Sequence, residues 1–466
     1  MDKFDVAIIG AGTAGVAAAI RADELGARAA LINAGLPLGG TSLHWGCIPS
    51  KRLVAVARAL LCAEQPRFEA VQTGRVRFDL GQVKSGLETL VARMREQKYE
   101  AVLASMPTVE KIEGWARLRS PHDIEVNGRA IQAARVIVAT GAQPRIPPFE
   151  GLERVRYLTA RNALRLEHVP LSLLVIGAGA TGVELAQLYS RLGSVVTIFE
   201  RGPRILSAQE PAVSEELRRA LEEENIEVHT GAAVKRLVAR ERRIRLEVSF
   251  PERSRAFEAE AILLATGQAG NTRGLGLAEI GVACDRRGFV SVDDYLQSSV
   301  AGIYAAGDVT GEPCLETAAA MEGRLAASNA LGDGREPLDL SALPLGVYTS
   351  PEVASVGLTE EACRERLGEC RARIVPMREV AQAVAASEER GFLKLVAGPE
   401  NRVAGVHIIC EHAVEMIQAA VLAVGKRLSV GELARLPHVY PSFSQALKLA
   451  AQSFERDIER MSCCIG

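Results

Sequence analysis

The hydrophobic pattern at the start of the chain predicts a strand, a glycine turn and a helix in immediate succession. Residues 4–9 (FDVAII) form a short apolar, β-branched run that is typical of a buried strand. Gly10, Gly12 and Gly15 follow, and residues 16–26 (VAAAIRADELG) are typical of a helix. In this context the glycines allow a tight turn, a close approach of pyrophosphate to the backbone, and close packing of the helix on the strand. The pattern therefore predicts a dinucleotide-binding fold.

The same order of strand, glycine turn and helix occurs again in the middle of the chain. Residues 173–176 lead into Gly177, Gly179 and Gly182, and a helical segment and a second strand follow. A packing turn would explain one such copy, but it explains two copies poorly. The chain therefore predicts two dinucleotide sites.

The residue that ends the second strand of each unit bears on the nucleotide that binds. Glu200 holds this position in the second unit, where a carboxylate can accept both ribose hydroxyls of NADH and would repel the 2′-phosphate of NADPH. Arg201 and Arg204 follow and weaken that discrimination, so NADH is favoured and NADPH stays open. Asn33 holds the matching position of the first unit and can bind a ribose without charge.

Three further apolar segments end where a parallel sheet would bind its ligand. Residues 135–141 (RVIVATG) and 261–267 (AILLATG) each follow one of the two units, and residues 303–308 (IYAAGD) form a third strand. Their ends carry Thr140, Gly141, Gly267 and Asp308. An aspartate at the carboxyl end of a strand can hold a sugar-alcohol hydroxyl, although a helix cap would explain Asp308 taken alone.

Length and charge limit the classes of function. A chain of 466 residues exceeds one hydrophobic core and predicts about three domains. Its 55 Lys and Arg against 57 Asp and Glu give a net charge of −2, which offers no general attraction for nucleic acid or anionic lipid. The start lacks a signal-peptide pattern, and no stretch reaches about 18 uninterrupted apolar residues. We therefore expect a soluble, cytoplasmic protein that binds neither nucleic acid nor membrane.

The nine cysteines are not spaced as a disulfide framework, and no Cys-x2-Cys pairs indicate a zinc site. Six are isolated and are predicted to be small buried hydrophobic residues: Cys62, Cys284, Cys314, Cys363, Cys370 and Cys410. The other three lie in two segments. Residues 39–51 (GGTSLHWGCIPSK) contain Ser42 and Cys47, and residues 461–466 (MSCCIG) contain the adjacent Cys463 and Cys464. A serine hydroxyl cannot close a disulfide, so Cys47 has no partner within its own loop.

Together these segments resemble the pyridine nucleotide-disulfide oxidoreductases, the family of glutathione reductase, dihydrolipoamide dehydrogenase and mercuric reductase. The resemblance covers essentially the whole chain, and residues 348–361 (YTSPEVASVGLTEE) and 405–409 (GVHII) match the dimerisation domain of that family. It implies an α/β fold with two Rossmann-like dinucleotide-binding domains, an α+β dimerisation domain, and a homodimer. The implied boundaries are 1–150 and 270–335 for the FAD domain, 151–269 for the NAD(P)H domain, and 336–466 for the dimerisation domain.

The resemblance also implies roles for individual residues. The first glycine turn would hold the pyrophosphate of FAD, the second that of NADH or NADPH, and Asp308 would contact the ribityl chain. Lys51 would lie beside the flavin and pair with Glu184, so that it favours the anionic reduced flavin without being buried unpaired. The other implied cofactor-binding residues are Asn33, Gly40, Thr41, Thr140, Gly141, Glu200 and Gly267.

Departures from the family pattern narrow the chemistry. Members that reduce organic disulfides carry a His and a Glu near the C-terminus as an acid–base pair, and Tyr440 and Gln445 stand at those positions here. Ala180 stands where a gating tyrosine is common. Mercuric reductases share the tyrosine and a C-terminal Cys-Cys pair. Mercury(II) is soft and prefers two thiolates in a nearly linear arrangement, which Cys463 and Cys464 can offer.

The leading hypothesis is therefore an FAD-dependent reductase of Hg(II), with the ion held transiently by Cys47, Cys463 and Cys464. Ser42 would stabilise the Cys47 thiolate. One alternative is reduction of a small disulfide, persulfide or quinone through Cys47 or the flavin alone. Another is a non-enzymatic sensor of thiophilic metals or redox state. Whether Ser42 is native or an engineered replacement of a second cysteine stays open, as does the physiological substrate. His44 and Trp45 are expected to be a polar loop residue and a packing residue.

Overall fold

Strands of the described part of the chain form five sheets, of which three are large. The computed structural model describes residues 2–74, 76–165, 167–332 and 334–458. Cys463 and Cys464, which the sequence assigns to the chemistry, lie outside the described residues.

The N-terminal third of the chain builds most of the first sheet. Its elements are β1 (Asp2–Ile9), α1 (Thr13–Glu24), β2 (Ala29–Asn33), α2 (Gly40–His44), α3 (Cys47–Glu64), α4 (Leu80–Arg95), α5 (Ala101–Ala104), β3 (Val109–Glu113), β4 (Ala116–Leu118), β5 (Asp123–Val126), β6 (Arg129–Val138) and β7 (Ala142–Pro144). The strand order is β3-β2-β1-β6-β5-β4, in which β3, β2, β1 and β6 are parallel.

The apolar run of β1 is continuous because both faces of this sheet are covered. Val6 and Ile8 pack in one hydrophobic cluster, whereas Ala7 and Ile9 pack in another on the opposite face. Successive side chains of a strand point to opposite faces, so a strand buried on both sides loses the alternating pattern.

The middle of the chain builds a second parallel sheet and a small antiparallel one. Its elements are β8 (Leu158–Thr159), α6 (Ala160–Ala163), β9 (Ser172–Ile176), α7 (Ala180–Arg191), β10 (Val195–Phe199), α8 (Pro211–Glu223), β11 (Glu227–His229), β12 (Ala233–Ala239), β13 (Ile244–Ser249), β14 (Ser254–Ala259), β15 (Ala261–Leu264) and β16 (Gln268–Gly270). The parallel order is β11-β10-β9-β15-β8, and β12-β13-β14 are antiparallel. A short β16-β7 ladder joins this region to the first.

The last part of the chain completes the first sheet and then forms an antiparallel one. Its elements are β17 (Ile303–Ala305), α9 (Glu316–Leu331), β18 (Leu345–Val347), β19 (Glu352–Gly357), α10 (Glu360–Leu367), β20 (Arg371–Pro376), α11 (Ala381–Ala385), β21 (Phe392–Ala397), β22 (Val403–Cys410), α12 (Ala413–Gly425), α13 (Val430–Arg435) and α14 (Gln445–Gln452). β17 pairs with β6, and β18-β19-β22-β21-β20 form the third sheet. The buried faces of α12 and α14 pack on this sheet.

The architecture confirms the predicted fold class, because each strand–glycine turn–helix unit starts a parallel sheet and an α+β region follows. The domain boundaries at 150/151, 269/270 and 335/336 stay predictions. In the described ranges, no helix combines the length and apolarity that a bilayer crossing requires.

The prediction that all six isolated cysteines are buried is wrong for several of them. Cys363 and Cys410 are buried, Cys314 and Cys370 are half-buried, and Cys62 and Cys284 are exposed. Cys62 lies on α3, whose buried residues Leu53 and Ala57 recur one turn apart. Five residues after Ala57, Cys62 falls on the opposite, solvent-facing side of that helix.

Candidate active site

The carboxyl ends of four parallel strands form the crevice of the first sheet. β2 ends at Asn33, β1 leads into Gly10, β6 leads into Thr140, and β17 leads into Asp308. Ligands of open α/β sheets bind at this edge. The structure therefore brings together residues that the sequence predicted from separate segments.

The glycine turn after β1 leaves room for an anion. Gly10 has a φ of 112°, and a side chain there would collide with the carbonyl of Ala139. A Cβ atom at Gly12 would meet only the Cα atom of Gly40, at 3.9 Å, and a Cβ atom at Gly40 would lie 2.8 Å from the Cα atom of Gly12. The two glycines thus let the start of α2 lie against the turn. Thr41, the next residue of α2, is exposed.

Polar groups in this crevice fit a nucleotide with a sugar-alcohol chain. The Thr140 hydroxyl is buried without a hydrogen-bond partner among the described residues, so it is available to hydrogen-bond a ligand. Gly141, with a φ of 69°, has open space around it. Burial raises the pKa of Asp308, so its carboxyl group gains from a hydroxyl partner. The Asn33 amide nitrogen donates to the Leu36 carbonyl at 2.6 Å, so its oxygen can still accept a hydrogen bond.

Glu322 on α9 supports the Asp308 turn and was not predicted from the sequence. Its carboxylate accepts hydrogen bonds from the Gly307 N–H at 2.7 Å and from the Thr310 hydroxyl at 3.2 Å. Burial raises the pKa of Glu322 to about 7. The only signal in the sequence is an acidic residue within an alanine-rich helix.

The second crevice repeats the geometry of the first. Gly177 has a φ of 102°, and side chains at Gly177 and Gly182 would collide with neighbouring carbonyls, whereas Gly179 faces open space. The Glu200 carboxylate accepts the N–H groups of Ala178 at 2.8 Å and Gly202 at 2.7 Å. This carboxylate therefore lies directly beneath the glycine turn.

The other predicted residues of this crevice lie at its edge. Gly267 follows β15, has a φ of 93° and faces open space. Ala180 is the first residue of α7.

The segment that contains Ser42 and Cys47 folds into two helices joined by a tight turn. Cys47 is the first residue of α3 and is exposed, and Gly46 precedes it. A Cβ atom at Gly46 would lie 2.9 Å from the Thr41 carbonyl oxygen and 3.3 Å from the Cα atom of Ser42. Ser42 therefore lies beside the turn that leads to Cys47. In the described structure, no hydrogen bond joins the Ser42 hydroxyl to the Cys47 thiol.

Lys51 and Glu184 form the predicted ion pair. The Lys51 Nζ atom is 3.0 Å from Glu184 Oε2 and 4.2 Å from the centroid of the Tyr348 ring. The other Glu184 oxygen accepts the Tyr348 N–H at 2.8 Å. Lys51 follows Cys47 by about one helical turn, so both lie on one face of α3. The pair thus joins the Cys47 helix to α7 and to the dimerisation region.

Two tyrosines near Cys47 were not predicted. Burial, and then Glu316 and Cys47, raise the pKa of Tyr99, although a hydrogen bond with Thr13 opposes the shift. Burial, and then Glu184 and Cys47, raise the pKa of Tyr348. Burial therefore keeps both phenols in the neutral form. Tyr348 begins the segment 348–361, which could have drawn attention to it.

Trp45 agrees with its predicted role as a packing residue, whereas His44, predicted to be a polar loop residue, is the last residue of α2. The His44 Nε2 atom is 2.9 Å from the Leu38 carbonyl oxygen, and burial lowers the pKa of His44. The Trp45 ring lies under the Arg161 guanidinium at 4.9 Å. Both line a cavity of about 470 Å³ with Pro49 and Leu53, residues that helical spacing places on the opposite side of α3 from Cys47.

The structure describes only some of the C-terminal residues to which the sequence assigned a role. Tyr440 is 49% exposed in the segment before α14, and Gln445 is the first residue of α14. The roles assigned to these residues, like those of the other predicted site residues, stay predictions.

Comparison with known proteins agrees with this geometry. Residues 4–323 match the pyridine nucleotide-disulphide oxidoreductase family, and residues 343–451 match the dimerisation domain of that family. The chain is 37% identical to mercuric reductase of Lysinibacillus sphaericus, over 100% of this chain and 85% of that protein. It is 37% identical to mercuric reductase of Streptomyces lividans, over 99% of this chain and 98% of that protein.

A solved structure shows the same fold. The Cu(II) complex of the HOCl-induced flavoprotein disulfide reductase RclA from Escherichia coli superposes with a TM-score of 0.86 at 27% identity, over 98% of this chain and 100% of that one. The chain therefore belongs to the pyridine nucleotide-disulphide oxidoreductase family and is an FAD-containing, pyridine nucleotide-dependent oxidoreductase.

Proposed function

We propose that the protein reduces Hg(II) to elemental mercury with two electrons from NADH or NADPH. The observation that carries this proposal is Cys47, an exposed thiol at the start of α3, one turn from the Lys51–Glu184 pair. The 37% identity with mercuric reductases supports it. Reduction of a metal ion needs no general acid, which agrees with Tyr440 and Gln445 at the positions of the acid–base pair.

Each side chain of the site would have a separate role in the reaction. Cys47 would bind the ion through its sulfur, and the backbone N–H groups at the start of α3 would attract the negative charge of that ligand. Cys463 and Cys464 would bring Hg(II) to Cys47, and Ser42 would donate to the thiolate after a rotation of its hydroxyl. Lys51, held by Glu184, places a positive charge next to the electron-transfer site. Bound FAD would supply the chemistry that converts hydride from the nicotinamide into two electrons for the ion.

The proposal includes NADH as the favoured coenzyme and a homodimer as the working form. One Glu200 oxygen accepts from the glycine turn and the other from Gly202, and the carboxylate would lie where the 2′-phosphate of NADPH would bind. A homodimer is supported by the match to the dimerisation domain. A cytoplasmic location follows, because the cell supplies reduced nicotinamide nucleotides there.

The test is Hg(II)-dependent oxidation of NADH or NADPH, measured together with loss of Hg(II) as mercury vapour. Cys47→Ala should lower the rate by about 100-fold or more, as expected when the group that holds the reacting atom is removed. Cys62→Ala is the matched control, since Cys62 lies on the same helix and is exposed. Wild-type rates after Cys47→Ala and after the double change Cys463→Ala and Cys464→Ala would contradict the proposal.

A second candidate is reduction of a small disulfide, persulfide or quinone. The structural similarity to a flavoprotein disulfide reductase and the single thiol in the loop favour it. Quinone reduction should survive Cys47→Ala because it needs only the flavin, whereas thiol chemistry should not. A sensor without turnover would bind thiophilic metal tightly and consume no NADH.

A further inference from the structure

A second pair of cysteines lies in the antiparallel part of the molecule, outside the candidate active site. Cys363 is on α10, and Cys370 directly precedes β20. Gly368, with a φ of 78°, ends α10 and turns the chain back between them. The Cys363 sulfur lies 3.7 Å from the carbonyl oxygen of Glu369, the residue that is bonded to Cys370. Standard backbone dimensions then place the Cα atom of Cys370 within about 6.5 Å of that sulfur.

The two thiols differ in burial. Cys363 is fully buried, with 0% of its surface exposed, and Cys370 is half-buried. Gly398, just after β21, lies next to the Cys363 sulfur: a Cβ atom at Gly398 would be 3.7 Å from it. The pair therefore joins one fully buried thiol to one that is partly exposed to solvent.

The number of ligand atoms limits the kind of ion that Cys363 and Cys370 can hold. The described residues contain no group of three or more His, Cys, Asp or Glu side chains that could hold a metal ion. Structural zinc and iron–sulfur sites need four protein ligands, so two sulfurs do not suffice for them. Soft ions that accept two thiolates in a line, such as Hg(II), need no third ligand.

We propose that Cys363 and Cys370 bind one soft metal ion, with Hg(II) as the probe, as a two-coordinate bis-thiolate. Two S–H bonds break, two metal–sulfur bonds form, and two protons leave to solvent. The oxidation state of the ion does not change, so no reductant takes part. The site holds metal without reducing it and does not rest on the proposed function of Cys47.

The first test counts bound metal in the full-length protein with its flavin, without NADH or NADPH. Protein is titrated with HgCl2 in a buffer containing a competing monothiol, which removes ions held by a single sulfur, and bound mercury is measured by mass spectrometry. Cys363→Ser and Cys370→Ser should each lose about one tightly bound ion, whereas the control Cys62→Ser should lose none. Unchanged binding in either pair variant would overturn the proposal.

A second test leaves the pair native, so a folding defect in the serine variants cannot obscure the result. In a Cys47→Ser, Cys463→Ser and Cys464→Ser background, one equivalent of Hg(II) should protect Cys370 from iodoacetamide, as read by peptide mass spectrometry. Alkylation that is equally fast with and without Hg(II) would overturn the site. Because mercury turnover is measured separately, loss of this site leaves the proposed function intact, and the converse also holds.

Discussion

At the scale of single residues, the Lys51–Glu184 pair is the contact on which the proposed electron transfer depends most. Lys51 is 31% exposed and Glu184 is 9% exposed, so water screens the pair only in part. Glu184 also holds the Tyr348 backbone, and Lys51 lies over the Tyr348 ring. The carboxylate therefore fixes the position of the lysine.

Lys51→Ala should slow reduction of the flavin by NADH by about 10-fold, because the positive charge that favours reduced flavin is lost. The measurement is rapid mixing under argon, followed by visible absorbance. Lys51→Arg retains the charge and serves as the control. An unchanged rate in Lys51→Ala would mean that the contact is only a structural ion pair.

Glu322 should make stability depend on pH. Its pKa is about 7 in the folded protein against an ordinary value of 4.5, so the folded state binds more protons than the unfolded state between these values. The free energy of unfolding is therefore highest below about pH 4.5 and falls as the pH rises through about 7. The total decrease is up to about 3 kcal/mol. Glu322→Gln retains an oxygen for the Gly307 N–H and should remove this loss.

The measurement is urea unfolding of wild type and Glu322→Gln at pH 5 and pH 8. The variant should gain stability relative to wild type at the higher pH. A difference between the two proteins that is the same at both pH values would contradict the assignment.

At the scale of elements, the contact between the glycine turn and the start of α2 controls the first crevice. Gly40→Ala should abolish or strongly lower flavin content, because Gly40 has a φ of 56° and an added methyl would press on the Gly12 backbone. Flavin content is read from visible absorbance. Gly86→Ala on α4 is the control: its methyl would meet nothing, and stability should rise by about 0.5–1 kcal/mol. Full flavin content in Gly40→Ala would show that the turn does not constrain the cofactor.

At the scale of the whole molecule, the proposal requires the C-terminal cysteines to reach a Cys47 thiol. Deleting residues 461–466 should raise the KM for Hg(II) by about 10-fold or more and leave quinone reduction unchanged, since metal delivery is lost while the flavin remains. If the KM values for Hg(II) reduction and for quinone reduction both rose, the deletion would have caused a general folding defect.

A mixed dimer can show which subunit provides the tail. One subunit carries Cys47→Ala with an intact tail, and the other has an intact Cys47 and no tail. Activity of the mixed dimer above that of either parent would mean that the tail works across the interface. Activity of the mixed dimer no higher than that of the parent without the tail would mean that the tail acts within its own subunit.

Local patterns were the part of the fold that could be predicted. Each nucleotide unit lies within a short stretch of the chain, where glycine conformation and strand burial depend on near neighbours. The turns at Gly10 and Gly177 and their helices could therefore be predicted from the sequence. Tyr348 was missed because its contact with Glu184 spans 164 residues of the chain. Glu322 was missed because its contacts, 12 and 15 residues away, form only when α9 packs against the turn that contains Asp308. The exposure of Cys62 depends on which face of α3 the rest of the molecule covers, and the pattern around it does not show this.

The sequence by itself determined the two glycine turns, the lone thiol of the loop and the absence of the acid–base pair, since these follow from residue identity and short-range backbone geometry. The family resemblance already implied that Lys51 meets Glu184, whereas only the tertiary structure decided that Glu322 supports the Asp308 turn and that Cys363 and Cys370 lie together. Those contacts depend on how distant elements pack and how α10 turns back at Gly368. Burial then raises the pKa of Glu322, a property that its identity as a glutamate does not specify.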